Sequence, residues 1–116
     1  MQRLRHHLIG LDRGSSILFS DYEHDGPMWT GTGPRELRTP IRFSGRFRAP
    51  PVVYVSIDMW DFDRGTNQRG DIQAESVTCE GFELVFRTWG DTRIARIRAA
   101  WQALGEVAGE DDWDLY

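Results

Sequence analysis

The run FRTWGDTRIARIRAAW, residues 86–101, sets two indoles twelve positions apart, with a Gly-Asp turn beside the first and four arginines along its length. An exposed indole is a flat apolar platform, and guanidinium, carboxylate or amide groups beside it supply directed hydrogen bonds. Such a set suits a pyranose, which offers hydroxyls in fixed directions and one apolar C–H face. One Trp of the pair is expected in the core, the other at a surface that binds something. DMWDFDRGTN brings together Asp58, Asp61, Asp63 and Asn67, oxygen ligands at a spacing that suggests calcium. It lacks the Gly and terminal Glu of an EF-hand loop, and the alternative is a turn in which Asp61 and Asn67 bond their own backbone. His6, His7 and His24 do not make a zinc site: about four ligands are wanted, and adjacent residues on a strand point to opposite faces. No metal and no cofactor are expected. Glu83 with Asp91, or Asp61 with Asp63, could be drawn as catalytic carboxylate pairs, but no motif fixes them, and the chain is read as non-enzymatic. Cys79 stands alone, so it forms no intrachain disulfide, and no base lies near it in sequence; it reads as a small strand residue.

The elements that must hold these groups are strands. Ile41 and Phe43, then Val53, Val55 and Ile57, then Phe82, Leu84 and Phe86 alternate with polar or outward residues, the period of a strand with one buried face. HLIGLDRGSSILF reads as two short strands around an Asp-Arg-Gly turn. Residues 21–39 read as a long structured loop, 40–104 as the sandwich core and 105–116 as an acidic tail, loose unless Trp113 docks. Residues 92–104 fit both periods. As a helix, Ile94, Ile97, Trp101 and Leu104 share a face; as a strand, Ile97, Ala99, Trp101 and Ala103 do. The surrounding short strands favour the second, paired to 82–89 through the turn at Gly90-Asp91. Trp101 then points inward with its strand's apolar face, and Trp89 falls opposite Phe82, Leu84 and Phe86, away from the core.

The chain has 116 residues, the size of one domain, and a formal net charge of −4. All 14 of its Lys+Arg cations are arginine. Arginine suits paired, stacked or interface positions, although a GC-rich genome would also favour it. The acidic balance argues against nucleic-acid binding, which wants a basic stripe. No apolar run reaches the ~20 residues of a membrane helix, so no membrane insertion is expected. The N-terminus has no apolar core and cleavage site of a secretory signal, which points to a cytoplasmic start or export by a non-classical route. Arg42, Arg46, Arg87, Arg93, Arg96 and Arg98 fall largely on outward faces. They make either an anionic-glycan patch or ion pairs with Glu36, Glu75 and Glu83, across strands or across a three-fold axis.

RELRTPIRFSGRFRAPPVVYVSIDMWD, then NQRGDIQAESVTCEGFELVFRTWGDT, then AAW resembles the H-type lectin family over about Met28 to Gly105. The resemblance rests on the order of Ile41-x-Phe43 before Pro50-Pro51-Val52, Ser56-Ile57 with Asp61, Asn67-x-Arg69, Gly81-Phe82, Thr88-Trp89 and Trp101. It implies a six-stranded antiparallel β-sandwich assembling as a homotrimer, with a role in adhesion to glycan surfaces. It also implies sugar binding, often of galactose or N-acetylgalactosamine, in shallow sites between protomers. By the same resemblance Trp89 lies at the protomer interface beside the sugar and Arg69 hydrogen-bonds it. Asp91, Thr30, Thr32 and the backbone at Gly90 would supply the remaining contacts. Two positions depart from the galactose-binding pattern: Thr32 stands where an acid is usual, and Gly90 where a His can follow the Trp. The alternative is a structural, assembly or adhesion module, fibre- or phage-tail-like, that keeps the trimeric fold without a sugar site.

Overall fold

The structure is a computed structural model that describes residues 1–5 and 8–109; His6, His7 and Trp113 lie outside the described residues. Six strands form two three-stranded antiparallel sheets. β1 (Ile9–Phe19), β6 (Ile94–Glu106) and β3 (Val52–Phe62) make one sheet with β6 at its centre. β2 (Arg35–Arg42), β5 (Gly81–Thr88) and β4 (Asp71–Glu75) make the other, with β5 at its centre. The central strands carry the strongest apolar alternation, because only they have a neighbour on each side.

The core follows that alternation. From β5 come Phe82, Leu84 and Phe86; from β6 come Ile97, Ala99, Trp101 and Ala103, all buried. Phe43 and Phe47, in the turn after β2, close one end with Phe82 and Trp101. Met28, Phe86, Ile94 and Ile97 close the other, with Phe19 and Phe62 packed on them. Fully burying one such side chain contributes about 1.5–3 kcal/mol. Both edge partners of β6 shift register at one level, β1 between Ile17 and Phe19 and β3 between Ile57 and Met59. A bulge re-aims the residues beyond it, and here Phe19 turns into the end of the sandwich beside Phe86, 5.6 Å between ring centroids.

From Ile94 onward the stretch is strand, as β6 pairs along both edges. The expected hairpin to 82–89 does not form: β5 pairs with β2 and β4, so the Gly90-Asp91 turn carries the chain from one sheet to the other. Pairing to β1 and β3 outweighs the slight helical preference of the local sequence. Three further expectations are corrected. The N-terminal segment is one strand, not two: Asp12, Arg13 and Gly14 continue the ladder opposite Ala103, Gln102 and Trp101. A continuous β6 offers backbone partners at every position, so the Asp-Arg-Gly triplet has no reason to turn. Residues 21–39 are not all loop. They hold two single-turn helices, α1 (Asp21–His24) and α2 (Pro27–Thr30), and the first residues of β2. Pro40 lies inside β2, tolerated because β2 is an edge strand. Cys79 is half-buried in the turn before β5 rather than in a strand.

Among the described residues, no helix is long and apolar enough to cross a membrane.

Candidate functional site

One end of the sandwich gathers the end of β1, the start of β2, the end of β3, the exit of β5 and the entry of β6. Segments 20–34, 63–70 and 89–93 connect them there. Two buried hydroxyls knit these connections together. Thr92 Oγ1 donates to the Asn67 carbonyl at 2.6 Å and accepts from the Arg69 amide at 3.1 Å. Thr88 Oγ1 donates to the Arg69 carbonyl at 2.6 Å. The backbone of Asn67-x-Arg69 is thereby strapped to the β5–β6 turn, and both buried hydroxyls have partners.

On that frame Arg69 and Asp91 meet, with Arg69 Nη1 2.7 Å from Asp91 Oδ1. Asp91 also accepts from the Asn67 amide at 3.2 Å and from Asn67 Nδ2 at 3.1 Å. The two Asn67 bonds, ahead of Arg69, hold the Asp91 carboxyl below the usual carboxylate range. Gly90 between them has φ +71, and a Cβ there would stand 3.0 Å from Arg69 Nη1. The absent side chain lets the guanidinium lie over the turn. Trp89 is 44% exposed, while Trp101 is 8% exposed in the core, so the two indoles divide as the strand periodicity predicts.

A second arginine, which the sequence pattern did not single out, fixes the neighbouring loop. Arg35 donates from Nε to the Gly33 carbonyl, from Nη1 to those of Pro27 and Met28, and from Nη2 to that of Gly90. The Gly33 amide bonds the Gly90 carbonyl at 2.8 Å. These bonds dock the Thr32-bearing loop on the Trp89–Asp91 turn, with Thr32 exposed. Pro34, Arg35, Glu36, Arg87, Thr88 and Trp89 line a shallow groove of about 430 Å³ there. Thr30 stands apart in one respect: its hydroxyl donates to the Gly26 and Asp25 carbonyls at 3.0 and 3.3 Å. Nothing in the residue pattern signals its role, because its four acceptors are main-chain carbonyls.

The other constellations resolve into ion pairs. Asp58 meets Arg98, Asp61 meets Arg96 and Asp63 meets Arg93. The carboxylates are thus spread along β3 and the turn after it, each with its own guanidinium, and do not converge as calcium ligands. Asp63, not Asp61, makes the local turn, accepting from the Gly65 amide at 2.8 Å, and Asn67 turns to Asp91. Arg69 does not pair with Asp71 or Glu75. Glu75 instead joins Glu36 and Glu83 around Arg38 and Arg87 on the outer face of the second sheet. Val85 lies fully buried beneath that lattice. Arg42 and Arg46 pair with Glu80.

The H-type lectin domain matches residues 38–104, more than half of the chain. The chain belongs to the H-type lectin domain family. Membership places it among non-enzymatic lectin domains and implies carbohydrate binding. A protein described as ATP synthase subunits region ORF 7 of Fuscovulum blasticum is 52% identical over 107 residues, covering 92% of this chain and 93% of that protein. Discoidin-1 of Dictyostelium discoideum is 37% identical over 71 residues, covering 60% of this chain. This H-type lectin domain spans only 28% of that discoidin's length. The solved structure of recombinant discoidin II of Dictyostelium discoideum shares the fold, with a TM-score of 0.73 over 86% of this chain and 38% of that one, at 21% identity.

Proposed function

We propose that this H-type lectin domain binds carbohydrate non-covalently at the Trp89–Arg69–Asp91 end of the sandwich, in shallow sites that a neighbouring copy completes in a homotrimer. The reading is carried by the charge pair of Arg69 and Asp91 held over Gly90 beside an exposed indole. The Arg69 and Asp91 side chains are 38% and 52% exposed, so donors and acceptors are open to solvent next to an apolar plane. A pyranose stacks its C–H face on Trp89 and directs hydroxyls to the guanidinium and carboxylate. Thr32 and the Gly90 backbone supply further polar contacts, and Thr30 offers its hydroxyl oxygen as acceptor. With no acid at Thr32 and no imidazole at Gly90, hydroxyl recognition rests on Arg69 and Asp91, and galactose or N-acetylgalactosamine is one candidate class among pyranoses. Three sites on one assembly bind a multivalent glycan surface by avidity, which suits adhesion.

One observation favours the assembly-module reading: Arg69 and Asp91 already satisfy each other, and Asn67 takes further acceptor capacity from Asp91. A glycan array separates the two, run with wild type, Trp89→Ala and Arg69→Ala after light scattering has established the oligomeric state. Binding lost in the variants with the assembly intact supports the lectin site. An intact trimer that retains no glycan supports the module.

A further inference from the structure

At the same end, beside α1 and α2, lies a second cleft of about 380 Å³, within the size range of small-ligand sites. Its wall is aromatic. The Tyr22 and Trp29 rings meet edge to face, with centroids 5.2 Å apart and planes at 82°. Arg93 backs that wall, its guanidinium 4.3 Å from the centre of the Trp29 ring and its Nε bonded to the Trp29 carbonyl at 2.9 Å. Arg93 Nη1 is in turn held by Asp63 Oδ2 at 3.2 Å. The indole is therefore clamped in place before any ligand arrives. Phe62, half-buried on the Met28–Phe86–Ile94–Ile97 cluster, and the buried Ala95 complete the apolar lining.

The rim is polar and carries both signs. Asp61 and Arg96 make a single contact of 3.5 Å, and their side chains are 48% and 47% exposed. A carboxylate accepts about four hydrogen bonds and a guanidinium donates five, so most of this capacity faces the cleft mouth and solvent. Glu23 adds another acceptor. An aromatic wall with acceptors and a donor fork on one rim fits a neutral, hydroxylated ring. A quaternary ammonium would suit the aromatics, but it would meet Arg96 at the rim and Arg93 behind Trp29.

We propose that this cleft is a second carbohydrate subsite, taking a further pyranose of an oligosaccharide whose first residue sits at Trp89–Arg69. The proposal rests on the carbohydrate reading of that first site. The two sites share a chain path: Trp29 leads through Thr32 to Gly33, whose amide bonds the Gly90 carbonyl, and Arg93 follows Asp91 by two residues. Ordering one site thus helps order the other.

The test compares wild type, Tyr22→Ala and Asp61→Asn on an array of immobilised monosaccharides and the oligosaccharides that end in them. Tyr22 is 62% exposed and Asp61 sits in an exposed ion pair, so both variants should fold. Wild type is expected to retain its preferred oligosaccharide about tenfold better than the matching monosaccharide, a difference of about 1.4 kcal/mol. Both variants should lose that preference and keep monosaccharide binding. Titrating the best-retained oligosaccharide should also shift the Trp29 indole N–H resonance. An unchanged preference in both variants, or an unmoved Trp29 resonance, overturns the subsite alone. A wild-type protein that retains no glycan overturns the carbohydrate reading and this proposal with it.

Discussion

Arg69 and Asp91 face each other across a residue with no side chain: the guanidinium lies so close over Gly90 that a Cβ there would stand 3.0 Å from Nη1, and it bonds the carboxylate at 2.7 Å. The exposed Trp89 directly precedes Gly90 along the turn. The left-handed backbone at Gly90, φ +71, is what sets Asp91 back toward the 67–69 strap.

Gly90→Ala should therefore act on both stability and binding. The left-handed conformation costs an L-residue roughly 1–2 kcal/mol, and the new methyl displaces Arg69. Denaturant midpoints should fall accordingly and glycan retention should weaken. Gly90→Asn, which tolerates that backbone better, should recover part of the stability but not the binding.

Arg35→Ala should release the loop that carries Thr32. Four main-chain carbonyls lose the guanidinium as donor, although those of Gly90 and Pro27 keep the Gly33 and Gly31 amides. A loss on the order of 2 kcal/mol is expected for a broken network of this kind. Amide hydrogen exchange at Gly31 and Gly33 should accelerate well beyond that of the β5 core. Arg35→Lys should not rescue it, because an ammonium cannot span acceptors arranged for a planar fork. Equal exchange at Gly33 in wild type and variant would refute the stapling role.

Phe86→Ala should cost about 3–5 kcal/mol, the usual range for a deleted core aromatic. Phe86 is fully buried and joins the cluster that also seats Phe19, Phe62 and Met28. The site end should loosen with it, so the near-ultraviolet circular dichroism should fall while far-ultraviolet strand signal remains.

Acid sensitivity follows from two carboxylates. Glu75 is held below the usual range first by its hydrogen bond from Arg87, and Asp91 first by the Asn67 amide. A carboxyl depressed in the folded state contributes stability that is present above its unfolded value and is lost as pH falls through its folded value. Stability should be level from neutral into mildly acidic solution, then fall below the ordinary carboxylate range. Glu75→Gln should lower the neutral plateau slightly and flatten the acid limb; high salt should shrink the difference, since these ion pairs lie at the surface. Urea midpoints across a pH series check the sign.

The strands of the core were legible because burial acts on every second residue and leaves a period-two record, as in Phe82, Leu84 and Phe86. The same record separated Trp101 from Trp89. It did not decide the N-terminal strand, where Asp12, Arg13 and Gly14 look like a turn until β6 lies opposite them. Nor did it locate β4, which is only five residues long, or the single-turn helices that place Trp29. The pairing of charges was beyond the sequence altogether. With 14 cationic side chains and 18 acidic ones, composition permits many partners for each, and distance alone selects Asp91 for Arg69, Asp63 for Arg93 and Glu36 with Glu75 for Arg87. Hydrophobic burial is non-directional and periodic along a strand, so the linear order of residues determines it; ion pairs and hydrogen bonds to main-chain carbonyls join segments far apart in the chain, and only the folded backbone decides which of them meet.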